Sequence, residues 1–372
     1  MKRLHMLRSG NFVDSGRQSI NHYFVPDIIK QNLFSWGWNF FGQLGDASTT
    51  DRHTPTFIST NWNKINAGTG NHSLGIRSEG RLFTWGLNDQ GQLGDGTIIN
   101  RSIATLIGTD TWTAISGGAS HSLGIRSDGR LFAWGSNLQG QLGDGTITSR
   151  NIPTLIGSDT WMMIDAGGRF SLGLRSDGRL LAWGLNDEGQ LGDGTIINRS
   201  IPTLIGPDTW IAITAGASHS LGLRSDGRLF AWGRNSWGQL GDGTITSRNI
   251  PTLIGSDTWM MIDAGDNHSL GLRPDGRLFA WGDNWAGQLG DGTIEGKNIP
   301  TLIGSDTWQF ITGGHDALSL GIRSDGRLLA WGGNWTGQLG DGTTTDRLTP
   351  TLIGHDTWKT ITAGAGHSLG IR

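Results

Sequence analysis

Residues 121–145 read His121-Ser122-Leu123-Gly124-Ile125-Arg126, then Ser127-Asp128-Gly129, then Arg130-Leu131-Phe132-Ala133-Trp134-Gly135, and further on Gly140-Gln141-Leu142-Gly143-Asp144-Gly145. The first run alternates polar and apolar side chains, which predicts a half-buried strand. Asp-Gly supplies the positive φ angles of a tight hairpin turn, so Leu131–Gly135 is the returning strand. The glycine-rich stretch is a connection. Upstream, Thr111-Trp112 to Ile115 is a short apolar run that ends in Gly117-Gly118. Downstream, Pro153-Thr154-Leu155-Ile156-Gly157 reads as a fourth short strand, and its leading proline suits a sheet edge. Four antiparallel strands make one unit.

The unit repeats. Trp-Gly recurs at Trp36, Trp85, Trp134, Trp183, Trp232, Trp281 and Trp331, spaced by 49 residues five times and 50 once. A second tryptophan recurs at Trp62, Trp112, Trp161, Trp210, Trp259, Trp308 and Trp358. Two series of seven with a period near 50 predict an all-β chain, a seven-bladed β-propeller of four-stranded blades. The Trp-Gly tryptophans are assigned a structural role, covering apolar area between neighbouring blades. Each contributes about 1.5–3 kcal/mol if fully buried.

The ends say how the ring closes. The last unit stops after His367–Arg372, without a return strand. The missing strands stand at the other end, as Leu33–Gly37 and Thr54–Ile58. The two termini are therefore expected to share the last blade, which removes the open edges. Residues 33–372 form one propeller in this reading. Residues 1–32 are an extension that could be a short helix, a cap over the channel or a disordered tail. A longer period of 98 is also visible, since Gly140–Ala166 nearly repeats as Gly238–Ala264, and it marks a duplication rather than a chemistry.

Composition excludes several classes. The chain of 372 residues has 62 glycines, 18 tryptophans, one tyrosine and no cysteine, and its formal net charge is −3. Without cysteine there are no disulfides, no cysteine–zinc sites and no thiol nucleophile. No basic excess marks a nucleic-acid surface. No apolar run suits a secretory signal or a membrane span, so a cytoplasmic monomer that binds neither nucleic acid nor membrane is the default expectation.

Residues that recur in every blade are a poor place for a single active site. Asp144-Gly145 recurs as Asp95-Gly96, Asp193-Gly194, Asp242-Gly243, Asp291-Gly292 and Asp341-Gly342. One aspartate per loop falls short of a calcium shell, and the expected role is a turn whose carboxylate accepts backbone N–H bonds. His72, His121, His219, His268 and His367 share one position, which Phe170 and Leu318 fill in two blades. Apolar stand-ins imply packed histidines, with the imidazole bonded to backbone. The adjacent Ser122 cannot pair with His121 as nucleophile and base, because strand neighbours point to opposite faces. No metal, cofactor or catalytic group is assigned.

The units resemble the regulator of chromosome condensation repeat family. The resemblance rests on His121-Ser122-Leu123, Asp128-Gly129-Arg130, Trp134-Gly135, Asn137 and Gly140-Gln141-Leu142-Gly143 and their counterparts, and covers residues 33–372. It implies a seven-bladed propeller. Family members include a guanine nucleotide exchange factor for a small GTPase, a plant photoreceptor, and a protein inhibitor of an enzyme. The exchange factor uses a wedge-like insertion, for which the spacings here leave no room. The photoreceptor places tryptophans just before the hairpin-strand histidine, where this chain has Asn71, Ser120, Ser218 and Asn267. The expectation is therefore a non-catalytic scaffold that binds a protein. The alternatives are an exchange-factor-like regulator of a small GTPase, such as a bacterial mimic of the exchange factor, and a protein inhibitor of an enzyme.

Departures from the repeat carry more information than the repeat. After each Trp-Gly comes a loop x-Asn-x-x-Gly-Gln, whose variable positions hold Trp38, Phe40 and Phe41 in the closing blade, and Trp237, Trp285 and Trp335 in blades four, five and six. Blades one to three hold Asp89, Gln90, Leu138, Gln139, Asp187 and Glu188. The aromatics thus form a contiguous arc, expected to bind the partner if exposed. The competing expectation is that the rings fold inward against the next blade. A second variable loop precedes the hairpin strand, and its distinctive charges are Arg169, Asp266 and Asp316. The resemblance places that loop at one mouth of the central channel, which makes it a second interface candidate.

Overall fold

The computed structural model describes residues 31–372. The segment 1–30, and with it the choice among helix, cap and tail, lies outside the described residues.

The hairpin forms as its sequence dictates. His121–Arg126 pairs with Arg130–Gly135 in a register from His121↔Gly135 to Ile125↔Leu131. The turn differs in one detail. Gly129 has φ +82° and Asp128 does not share its left-handed backbone, so one glycine closes the turn rather than an Asp-Gly pair. Asp128 instead accepts the Arg130 N–H at 3.1 Å. The same central hairpin recurs in seven blades, the last made of Leu33–Gly37 and His367–Ile371.

The fourth strand is longer than expected. It starts at Arg150, ahead of Pro153, and runs without a break to Ala166. Its first half is the outer strand of blade two and its second half the inner strand of blade three. The strands Arg101–Gly117, Arg199–Ala215 and Lys297–Gly313 do the same. The bend between halves is taken at Gly157, with φ +60°. A proline is tolerated in this strand because the outer half is a sheet edge.

The hairpin strand is buried on both faces, contrary to the half-buried expectation, with His121 and Ser122 as inaccessible as Leu123. Each blade is covered by a neighbour on either side, so alternation in the sequence separates two interfaces rather than core from water. Seven apolar clusters fill these interfaces. In one, Leu123, Ile125 and Leu131 of blade two meet Trp161, Ile164 and Trp183 of blade three.

The ring closes at the termini. The closing blade has the strand order Arg52–Ser59, Leu33–Gly37, His367–Ile371, Thr360–Ala363, two strands from each end of the described chain. Leu33 pairs with Ile371 and Gly37 with His367. The protein is an all-β, seven-bladed propeller with a shared last blade.

Candidate functional site

Most of the repeated polar residues hold blades together. The Trp134 indole N–H donates to the Gln92 carbonyl at 2.9 Å, and the Ser122 hydroxyl donates to the same oxygen at 2.8 Å. Every Trp-Gly tryptophan repeats this bond to the glutamine of the preceding blade, including Trp36 to Gln338 and Trp85 to Gln43 across the closure. All seven of these indoles are fully buried.

The histidines bond not chiefly to backbone, as expected from the sequence, but to serine hydroxyls one blade on, although His367 Nδ1 also lies 3.5 Å from the Ala365 carbonyl. His72 reaches Ser122 at 2.9 Å, His121 reaches Ser171 at 3.0 Å, and His367 reaches Ser73 at 2.9 Å. Each of these serines already donates to a glutamine carbonyl, so it accepts from Nε2–H, and Nδ1 is bare in His72 and His121. Burial lowers His121 to about 3, which keeps the ring neutral. A histidine and serine within bonding distance do therefore exist, between blades rather than within a strand. Both are fully buried, beyond the reach of a substrate.

The Asp-Gly turns are anchors. Asp144 Oδ1 accepts from Thr146 N at 3.0 Å and Asn137 Nδ2 at 3.1 Å, while Oδ2 takes Arg150 at 2.8 Å. Burial raises this carboxyl, but the Thr146 and Arg150 bonds outweigh it, and the net shift is downward. The expected backbone bond is present, and the arginine partner was not foreseen. Another ring lines the channel, a cavity of about 60 Å³. There Asp165 accepts from Ser116 Oγ and Ala215 N, and Asp263 from Thr214 Oγ1 and Gly313 N, each within 3.0 Å. Burial, then the charge of Asp165, pushes Asp263 up to about 7. Among the described residues no group of acids and histidines could hold a metal.

The varied residues gather elsewhere. Pairing of His121 with Gly135, and of His268 with Gly282, puts both variable loops at the same end of each blade. Trp237, Trp285, Trp335 and Phe40 are 52%, 59%, 42% and 66% exposed, so these rings do not fold inward against the next blade. Trp285 and Trp335 stack on each other, with centroids 5.5 Å apart and planes at 18°. Trp38, Phe40 and Phe41 form a second cluster, with contacts of 5.0–6.4 Å, in which Trp38 and Phe41 are half-buried. Trp237 stands apart from both.

The charged candidates separate into two places. Asp266 and Asp316 line one depression with Trp285 and Trp335. Arg169 lies on the polar arc, in a hollow of about 300 Å³ with Asp89 and Leu138. Sequence reasoning missed Asp283, which lines the acidic depression and is only 8% exposed. The signal was available, because the position after Trp-Gly holds Trp38, Leu87, Ser136, Leu185, Arg234, Asp283 and Gly333 and never repeats a charge of the same sign. Exposed isoleucines and leucines such as Ile147, Leu155, Ile245 and Leu253 also recur on the outer strands and connections, so apolar exposure by itself does not single out the arc.

Fold and site together define a repeat propeller with a uniform interior and a loop face that varies from blade to blade. The RCC1-like domain pattern matches residues 158–372, and the regulator of chromosome condensation (RCC1) repeat pattern matches residues 31–75, 79–125 and 128–174. The chain belongs to the RCC1 repeat family. Its fold is similar to human WBSCR16, with TM-score 0.82 and 21% identity over 92% of this chain and 98% of that one. It is likewise similar to Prp20p from Saccharomyces cerevisiae, with TM-score 0.83 and 21% identity over 92% of each chain. Yeast RCC1 (Prp20) in a complex with Kap60 gives 0.84 and 19% over 99% of this chain and 96% of that one. No curated protein sequence matches the chain. At these identities the likeness to solved structures shows the fold.

Proposed function

We propose that this propeller is a non-catalytic scaffold that holds a protein partner on its loop face, with the aromatic arc of blades four to seven as the contact surface. The observation that carries the reading is the exposure of Trp237, Trp285, Trp335 and Phe40 on adjacent blades above a rigid ring. Large aromatics kept half in water offer hot-spot area, and a closed ring orders little on binding, which favours affinity. The isoleucines recur around the ring, whereas the aromatics are confined to one side.

The test is a capture experiment from native lysate with the triple variant W237A/W285A/W335A as control. Partner capture should be lost while the melting temperature stays within about a degree or two, as for surface substitutions. Unfolding of the variant, or capture unchanged, overturns the proposal.

Similarity to Prp20p, whose structure was described together with its binding to Gsp1p and histones, favours a second reading, regulation of a small GTPase. A nucleotide-release assay decides it, and no acceleration at micromolar protein removes it.

A further inference from the structure

We propose that the depression between blades five and six is a socket for one arginine side chain of the partner. Trp285 and Trp335 line it together with Asp266 and the exposed Asp316, over a floor that includes the nearly buried Asp283. This rests on the protein-binding reading above and names the chemistry that the loop face recognises.

The floor is short of positive charge. In the repeated turns Asp46, Asp95, Asp144, Asp193, Asp242, Asp291 and Asp341 each have an Arg or Lys within 3.4 Å. None of the three socket aspartates has one among the described residues. Asp283, at 8% exposure, is met by backbone N–H groups alone, Trp285 at a long 3.4 Å on Oδ1 and Asn284, and by no side-chain donor. Asp266 accepts from Asn267 Nδ2 at 2.8 Å. Its other neighbour, His315 Nδ1 at 3.5 Å, belongs to a ring that burial holds below its usual range. Asp316 accepts no hydrogen bond from any described residue. A nearly buried carboxylate with such weak donors is costly, and the Asp266 charge repels both Asp283 and Asp316. Burial, and after it the Asp266 charge, raises Asp316, and burial raises Asp283 against its Trp285 and Asn284 bonds, with the Asp266 charge a smaller push. A cation seated among them relieves both effects.

The backbone is also unusual here. The loop of blade six has an extra residue, and Asp316 and Ala317 adopt φ +67° and +59°. Two successive non-glycine residues in the left-handed region are strained, because Cβ there crowds the carbonyl that follows. Such strain collects at binding sites, and here it turns Asp316 toward blade seven, within 3.4 Å of where a side chain on Gly366 would begin.

The shape and walls select the cation. The cavity is about 100 Å³, room for one side-chain head group and too little for a nucleotide or a folded segment. The acids do not converge as a metal site. The two indoles stack on each other, so a ligand lies on an outer face or edge rather than between them. A guanidinium does this well, because it is planar, weakly hydrated and forks between carboxylates while resting on an aromatic face. The chain already uses that arrangement internally. Arg126 sits 4.8 Å from the Phe132 ring centroid while its guanidinium reaches Asp128 at 2.6 Å.

The probe is N-acetyl-arginine methylamide, titrated into the full chain at low salt and followed by tryptophan fluorescence. Saturable binding is expected, weakened about tenfold in D283N and W335A, the loss of one charge-assisted contact, and unchanged in D89N on the polar arc. N-acetyl-lysine methylamide should bind several-fold more weakly. Equal binding by D283N, by the lysine probe, or by neither probe overturns the socket. The two proposals can be told apart. Capture intact in the triple tryptophan variant removes the aromatic docking surface and, with it, the socket as a partner contact. Capture lost in that variant, with a probe indifferent to Asp283, removes the socket alone.

Discussion

The seams between blades and the loops above them come from the same repeat, yet they are built on opposite rules. In the seams a tryptophan, a glutamine carbonyl, a serine and mostly a histidine return at nearly fixed distances, with no exposure. On the loop face the same register holds Asp89 in blade one, Trp285 in blade five and Trp335 in blade six. Repetition marks what the ring needs to close. Substitution against the repeat marks where one side of the ring differs from the other. In a propeller a function that engages one partner once must break the repeat somewhere, since seven equal sites would carry no orientation.

The sharpest way to break this comparison is at the closure. Deleting residues 33–58 removes both N-terminal strands of the last blade and exposes the edge of His367–Ile371. The product should aggregate on size exclusion and lose its cooperative melt, an effect of the order of the whole folding free energy, about 5–15 kcal/mol. A soluble product with the parent melting temperature would show that the seams do not depend on closure. Next in size is a single seam. Trp183→Ala empties a fully buried site and removes one donor from the Gln141 carbonyl. Denaturant titration should show a loss of about 3–5 kcal/mol, whereas Trp335→Ala on the loop face should cost well under 1 kcal/mol. Similar losses at the two positions would erase the distinction.

A smaller effect separates the seams from one another. Burial lowers His72, His121, His219 and His268 to about 3 and His367 to about 4. A group whose folded pKa is depressed while its charged form is the acid form stabilises the fold above its unfolded value near 6.5. That stability is lost as pH falls from there toward the folded value. Asp263, raised to about 7, works the other way, and its contribution falls as pH rises through that range. Asp165, Asp283 and Asp316 are raised in the same sense, but the lowered histidines, His315 included, outnumber these carboxyls, so thermal stability should drop on acidification from pH 6.5 to 5, before the turn aspartates protonate. His121→Phe copies what Phe170 already does in blade three. It should flatten that slope by on the order of 1 kcal/mol per pH unit. An unchanged slope would mean that the seam histidines do not titrate on unfolding.

Much of this was legible in the sequence, and the parts that were not share a cause. The two tryptophan series, the number of blades and the split last blade follow from spacing alone, because a repeat that cannot bury its own faces must stack. The serine partner of each histidine lies in the next blade, about 50 residues on or, for His367, across the closure at Ser73, and strand alternation says nothing about contacts across an interface. The Gln92 oxygen that receives Trp134 and Ser122 belongs to the main chain, so its role leaves no mark on side-chain chemistry. The hairpin strands looked half-exposed because polarity was read as a sign of water, and here it is a sign of a second seam. Asp283 was overlooked for a different reason. The position after Trp-Gly changes in nearly every blade, so one carboxylate there departs from no repeated residue, and its charge is the mark it carries.

The last prediction asks whether the closing blade also departs from the repeat in a way that costs stability. In six blades the residue after the turn aspartate is glycine with φ between +81° and +83°, as at Gly96, Gly145 and Gly342. In the closing blade it is Ala47, at φ +64°. Its backbone N–H makes the same bond, to Ser102 O at 2.9 Å, that Gly145 makes to Ser200 O. The conformation is therefore imposed by the turn and by Asp46, whatever the side chain. A Cβ in that region costs about 1–2 kcal/mol, and glycine gives back roughly 0.4–1 kcal/mol through the greater freedom of its unfolded chain. Ala47→Gly should thus stabilise the protein by about 0.5–1 kcal/mol in a denaturant melt. The opposite sign would mean that Ala47 makes a favourable contact in the closing blade which glycine cannot replace, and would place that turn with the varied loops rather than with the repeated frame.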